Sequence, residues 1–322
     1  MRSYRYLHLD VFTDRLFGGN QLAVVLDGRG LSSDAMQAIA KEMNFSETTF
    51  VLPPDRPAVS DQRTAIGGGG GAPPQISNDC IVKIFTPGGE LPMAGHPVIG
   101  TAFALARAGV LQPGRDHVVF GLGVGPTQVS LVWHGDQLSF AWMTQGNPTF
   151  GPPLLDVGAA AAALRLPPMA VAGTGLPVQV VSCGVPYLLV PLATRRAVDN
   201  AALDADAYDA FRQAAGVDEL SVFIFSKEPG ADKATVYSRC FAPQHGVAED
   251  AATGSASGPA GCYLVHHKVV PAERAGSMLS LQGVKMGRPS HVHIAIGVAD
   301  GAISSVRVGG ESVLAGEGFL YL

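Results

Sequence analysis

The sequence predicts an α+β protein of two pseudo-symmetric domains, each a barrel-like, mostly antiparallel sheet wrapped around a central helix. Three observations carry this. Two segments half a chain apart, 85–105 and 241–264, follow one scheme: a strand ending at Phe-x-Pro, a turn, then glycine and a polar residue opening a small-residue helix. Gly95 and Gly254 are 159 residues apart (254 − 95), as are His96 and Ser255, and Leu105 and Leu264. The first of these helices is apolar nearly all round, so other elements must enclose it. The 40 glycines and 23 prolines among 322 residues signal many turns and therefore many strands. A half-chain repeat of this kind sets the site between the halves.

Taken in order, residues 4–12 read as a strand, 17–20 as a turn and 22–26 as a second strand. Ser32, Ser33 and Asp34 offer N-caps for a helix whose apolar face is Met36, Ile39, Ala40 and Met43, ending near Asn44. Residues 48–52 form a β-branched strand stopped by Pro53 and Pro54. Residues 53–79 are polar and rich in glycine and proline, and read as loop. The run Gly67–Gly71 within it lacks the Gly-Lys-Ser/Thr of a phosphate loop, which makes it a surface excursion. A strand at 81–85 feeds the first repeat, with its helix from Pro97 to about Gly109. Strands fill 118–143, with a hairpin at His134-Gly135-Asp136-Gln137. The pattern breaks around 144–153, dividing the chain into 1–146 and 147–322, with the last strand free to pack on the first domain. The second half brings an Ala-rich helix at 156–164, strands at 178–182 and 187–190, a helix near 206–215, strands at 220–225 and 235–241, the second buried helix at 256–265, and strands to the end.

Composition narrows the function classes. A hydrophobic content of 47% with 15% charged residues indicates a well-buried globular chain. A net charge of −5, with no basic run longer than Arg195-Arg196, gives no reason to bind nucleic acid. The uncharged stretch 167–194 is broken by prolines and glycines into pieces too short to span a bilayer. Cys80, Cys183, Cys240 and Cys262 form no C-x-x-C pair and read as buried free thiols in a reducing compartment. The first residues enter a strand pattern with no apolar leader block, so a cytoplasmic protein is expected. The histidines show no metal-ligand spacing with a carboxylate or cysteine partner, and no metal is expected.

Four places can carry chemistry. Glu47 stands at a helix-to-strand junction between apolar runs. Desolvation there raises a carboxyl's pKa toward neutrality, where it can both take and return a proton; on position alone an exposed turn glutamate or a backbone cap fits better. His96 opens the first buried helix, either as its cap ahead of Pro97 or as a donor to a substrate carboxylate or proton relay. Asp250 and Ser255 flank the start of the second buried helix, as N-caps or as polar groups of a site. The backbone N–H groups at Gly95 and Ser255 can grip an anion without lysine or arginine.

These residues fall within motifs that together resemble the phenazine-biosynthesis isomerase (PhzF-like) family, which has the diaminopimelate-epimerase fold. The motifs are Phe17-Gly18-Gly19-Asn20-Gln21-Leu22-Ala23-Val24-Val25, Asn44-Phe45-Ser46-Glu47-Thr48-Thr49-Phe50-Val51, Phe85-Thr86-Pro87 with Glu90 to Pro97, Glu249-Asp250-Ala251-Ala252-Thr253-Gly254-Ser255-Ala256, and Gln282 to Ser290. They run in order along nearly the whole chain. The resemblance implies a homodimer, no metal or organic cofactor, and an active site between two sheet-around-helix domains. It implies an isomerase in which a glutamate moves a proton between carbons of trans-2,3-dihydro-3-hydroxyanthranilate. By motif, Glu47 is that acid/base, with His96 and Asp250 in the catalytic set. Ser46, Gly95, Gly254 and Ser255 bind substrate, Gly95 and His96 on the carboxylate side and Asp250 and Ser255 opposite, toward amino and hydroxyl groups. Ser257 stands where the family usually has asparagine, which directs that difference to substrate choice. The related racemases use one cysteine at each helix start; Gly95-His96 and Gly254-Ser255 stand there instead, which disfavours a two-thiol mechanism. A small-anion binding protein without turnover is the alternative on this scaffold, and no Gly-x-Ser-x-Gly elbow supports a hydrolase.

Overall fold

A computed structural model describes residues 1–54 and 78–322 of the chain; the Gly67–Gly71 run lies outside the described residues. The strands begin with β1 (Ser3–Val11), β2 (Asn20–Val25), β3 (Glu47–Leu52), β4 (Cys80–Phe85), β5 (Glu90–Leu91), β6 (His117–Leu122), β7 (Gly125–His134) and β8 (Gln137–Gln145), with helices α1 (Ser33–Met43) and α2 (Gly95–Arg107). Next come β9 (Thr149–Leu154), α3 (Val157–Ala162), α4 (Met169–Ala172), β10 (Val178–Ser182), β11 (Pro186–Pro191), α5 (Arg195–Asn200), α6 (Ala205–Ala214), β12 (Ser221–Ser226), β13 (Val236–Ala242), β14 (Val247–Asp250) and α7 (Gly254–His266). The chain closes with β15 (Met278–Gln282), β16 (Ser290–Ala299), β17 (Ala302–Gly310) and β18 (Ser312–Tyr321).

The ladders repeat strand for strand. β1–β2 is antiparallel, β2–β3 parallel, β3–β4 antiparallel, β4–β6 parallel, and β6–β7 and β7–β8 antiparallel. The same sequence of directions runs through β10–β11, β11–β12, β12–β13, β13–β15, β15–β16 and β16–β17. β5 hangs on β4 as β14 hangs on β13. β9 covers β10, and the last strand, β18, covers β1 in the same antiparallel sense. One seam, β8–β17, joins the two ladders. The chain end therefore supplies to the first ladder what β9 supplies to the second.

Each ladder curls around its helix. α2 packs on β1, β2, β3, β7, β8, β17 and β18, and α7 on β10, β11, β16 and β17. Val98, Ile99, Phe103 and Leu105 of α2 are all buried, each contributing about 1.5–3 kcal/mol by leaving water. The helices begin earlier than the sequence suggests, at Gly95 and Gly254 rather than at 97 and 256. Strand β9 also occupies the stretch where the sequence pattern breaks. Of the four free cysteines, Cys80 is partly exposed rather than buried, because it opens β4; Cys183, Cys240 and Cys262 are buried. No helix among the described residues is long and apolar enough to cross a membrane.

Two of the sequence motifs turn out to be braces. Arg288 donates to Asp10 (2.5 Å) and to the carbonyls of Gly18 (2.6 Å) and Gly19 (2.9 Å), while the Phe17 N–H donates to the other Asp10 oxygen at 2.7 Å. This clamps the Phe17–Asn20 turn, in which Gly19 has φ +62° and a Cβ would sit 2.4 Å from the Val11 carbonyl. Arg239 holds Glu249 with two bonds of 2.8 Å and also donates to the carbonyls of Val198, Asp199 and Ala201. Glu249 thus anchors β14 and leaves Asp250 to face the site. Breaking a buried, fully bonded ion pair from one side strands the other charge, so Arg239→Leu is expected to cost about 3–5 kcal/mol in urea unfolding; a loss below 1 kcal/mol would contradict the bracing role.

Candidate active site

The starts of α2 and α7 meet. A Cβ on Gly95 would lie 2.7 Å from the Ser255 nitrogen and 2.8 Å from the carbonyl carbon and Cα of Gly254. Only glycine permits this approach of backbone to backbone. Neither helix has a side-chain cap: Ala94 and Thr253 precede them without capping bonds. The N–H groups of Gly95, His96, Gly254 and Ser255 take no partner among the described residues. Free N–H groups and the positive ends of two helix dipoles are thus directed to one place.

That place is a cavity of about 170 Å³, and Ser46, Glu47, Gly95, His96, Asp250, Gly254 and Ser255 all line it. The structure brings these seven candidate residues to one cavity. Helix α1 delivers Glu47: Ser32 caps its start, Asn44 ends it in the left-handed conformation, and the chain turns through Ser46 into β3. β3 lies between β2 and β4, so its first side chain is enclosed, and Glu47 is only 9% exposed. Burial first, and the nearby Asp250 charge second, push its carboxyl well above the usual range.

His96 is buried beside it, Nε2 lying 3.3 Å from Glu47 Oε2. Desolvation drives the imidazole down to about 4, against the Asp250 charge and a backbone hydrogen bond to Gln21. His96 Nε2 and Glu47 Oε2 have no other hydrogen-bond partner, so the neutral ring and the carboxyl group are placed to share one proton between them. Asp250 is fixed on both oxygens: Asn20 donates to Oδ1 at 2.7 Å and Thr253 to Oδ2 at 2.6 Å. Gln282 locks this corner, accepting from the Thr253 N–H and donating to the Asp250 carbonyl. Ligand atoms of Glu47, His96 and Asp250 lie within 4.8 Å of one another, compact enough for a cation. Both Asp250 oxygens already accept bonds, and Glu47 is favoured in its neutral form, so the set is better suited to holding protons than a metal.

Asn20 and Tyr187 are among the residues of this site missed from the sequence. Asn20 sits in a quoted motif, but nothing local shows that its amide will bridge to Asp250, to the Ala252 carbonyl (3.0 Å) and toward His96 Nδ1 (3.1 Å). Tyr187, read only as a strand residue, places its hydroxyl 2.6 Å from Ser255 Oγ inside the cavity wall. Conversely, Ser257 does not reach the cavity. It is fully buried within α7 and donates to the Thr253 carbonyl at 2.9 Å, one turn back along the chain. The expected link from Ser257 to substrate choice is therefore withdrawn.

Comparison with known proteins gives the class first: the chain is an isomerase. An uncharacterized isomerase of Mesorhizobium japonicum is 34% identical over 327 residues, covering 100% of each chain. The trans-2,3-dihydro-3-hydroxyanthranilate isomerase of Pseudomonas aeruginosa is 33% identical, covering 99% of this chain and 100% of that one. The chain belongs to the phenazine biosynthesis-like (PhzF) family, whose profile matches residues 9–318. A solved PhzF-family protein of Bacillus anthracis shares the fold at a TM-score of 0.82 and 22% identity, covering 100% of both chains.

Proposed function

We propose that this isomerase moves a proton between carbons of a small carboxylated, dihydro-hydroxyanthranilate-like substrate, with Glu47 as the acid/base and no metal or organic cofactor. One observation carries the reading: a desolvated carboxyl, 3.3 Å from a neutral imidazole, faces a cavity walled by the free N–H groups of two abutting helix starts. The helix starts hold the substrate carboxylate. Glu47, as carboxylate, takes a proton from an adjacent C–H. The electron pair passes into the conjugated system toward the substrate carboxylate, where fixed N–H donors meet the growing charge. Glu47, now neutral, returns the proton at another carbon. One C–H bond breaks and one forms, with no oxidant or reductant. Neutral His96 accepts a hydrogen bond from the protonated Glu47 and holds it aimed between the two transfers. Asp250 maintains Asn20 and the charge that keeps Glu47 basic, and with Ser255 it faces the substrate's polar substituents.

The P. aeruginosa relative is named for trans-2,3-dihydro-3-hydroxyanthranilate, which makes that compound the first to try. Substrate carrying deuterium at the C–H that breaks is expected to deliver part of it to the newly formed C–H of the product, the remainder exchanging with solvent while Glu47 holds it, and treatment with a chelator is expected to leave the rate unchanged. Isomerisation at full rate in Glu47→Gln, or loss of activity on chelation restored by a divalent ion, overturns the mechanism. We also read the chain as two domains, 1–146 and 147–322, with β18 returned to the first, acting as a cytoplasmic homodimer. The alternative of a binder without turnover is set aside because its relatives are isomerases.

A further inference from the structure

The matching ladders assign to Glu47 a counterpart that the mechanism does not use. Glu47 opens β3, opposite Leu22 in the parallel pair with β2, and the next residue pairs with Phe85. Ser221 opens β12, opposite Tyr187 in the parallel pair with β11, and the next residue pairs with Phe241. The two positions are equivalent in the two ladders, and both side chains line the same cavity. One wall of the site thus carries an acid/base and the mirrored wall a hydroxyl.

Ser221 is buried, and its Oγ accepts a hydrogen bond from Gln244 Nε2 at 2.8 Å. Its own proton has no acceptor among the described residues, so the hydroxyl keeps a donor for whatever fills the cavity. His245, next in the chain, also lines the cavity, and its ring makes no hydrogen bond among the described residues. Half-burial lowers its pKa against the pull of the Glu219 charge, and this lowering favours the neutral ring. The turn that carries both Gln244 and His245 is pinned across the cleft: a Cβ on Gly88 would come within 2.9 Å of the His245 carbonyl oxygen. By contrast, Asp250 and Ser255 already satisfy protein partners.

We infer that Ser221 and His245 form a second polar subsite, which takes a neutral hydroxyl of the substrate and so determines which carboxylic acid this enzyme accepts. A hydroxyl both accepts and donates, matching a free serine proton on one side and an imidazole nitrogen on the other. A second carboxylate or a phosphate does not match, because no lysine or arginine among the described residues lines the cavity. The inference rests on the carboxylate-gripping reading of the helix starts.

The test is binding, by titration calorimetry, of anthranilate and its four ring-monohydroxylated isomers to the full chain. In the unaltered enzyme at least one hydroxy isomer is expected to bind tenfold or more tighter than anthranilate. Ser221→Ala and His245→Leu should each reduce that ratio toward one while leaving anthranilate affinity within about twofold, since losing a buried hydroxyl's partner costs roughly tenfold or more. Ser255→Ala removes a hydroxyl already bonded to Tyr187 and should shift the affinities of anthranilate and its hydroxy derivatives together, keeping the ratio. If no hydroxy isomer gains affinity, or the gain survives both Ser221→Ala and His245→Leu, the subsite is wrong. If the gain vanishes only in Ser255→Ala, the hydroxyl sits at Ser255 and the assignment fails. If neither anthranilate nor any isomer binds, the carboxylate reading falls together with it.

Discussion

Glu47→Gln is expected to lower kcat by about 10³-fold or more, with substrate binding little changed. General acid–base catalysis by a positioned group contributes typically about 10²–10⁴-fold, and here one side chain is asked both to remove and to return the proton. The same variant carries a second, independent signature in stability. Burial raises the folded-state pKa of Glu47 well above its unfolded value. Below the unfolded value both states are protonated and the residue is neutral toward folding. As pH rises through the range between the two values, the folded state holds a proton that the unfolded state has lost, so stability falls. Glutamine removes that dependence. Urea unfolding should therefore find Glu47→Gln more stable than the unaltered chain at pH 8 and indistinguishable from it at pH 4. Activity is expected to rise with pH as the carboxylate forms, then level off. A variant that retains its turnover, or one less stable at pH 8, would remove Glu47 from its role.

Gly95→Val is the second change with a large expected effect. Its Cβ would enter within 2.8 Å of three backbone atoms of Gly254 and Ser255. Backbone cannot swing aside as a side chain can, so the helix starts must part. Overpacking of this kind costs about 1–3 kcal/mol. Displacing the N–H groups that hold the reacting molecule by about 1 Å costs on the order of 10²-fold in rate. The expected result is a folded protein with a lowered urea midpoint and kcat/KM reduced by about 10²-fold or more. Gly89→Ala, where a Cβ meets nothing within 4 Å, serves as the control and should change neither quantity. Full activity in Gly95→Val would show that the abutting starts do not form the anion site.

Much of this was open to reading along the chain, for identifiable reasons. Helix α1 announces itself by Ser32 at its start and apolar residues at helical spacing, both local features. The repeat at Gly95 and Gly254 is legible because a close approach of two helix starts tolerates only glycine, and because the offset of 159 residues is kept through the helices. Glu47 stands out as a charge between two apolar runs. The braces were harder. Arg288, Glu249 and Gly19 are spelled in the motifs, yet nothing in their spacing separates a clamp on a turn from a group that meets substrate.

The sequence by itself determined the strand-rich, doubled architecture, because periodicity, caps and close-packing constraints act over a few residues at a time and leave a linear trace; Glu47 as the candidate acid came from its place in a family motif. Only the tertiary structure decided that Asn20 would brace Asp250, that Tyr187 would reach Ser255, that Ser257 would stay inside its helix, and that Ser221 would line the same cavity as Glu47. Those meetings span up to 230 positions of the chain. They depend on how two curled sheets close around their helices, and hydrogen-bond partners chosen by such closure leave no pattern for neighbouring residues to display.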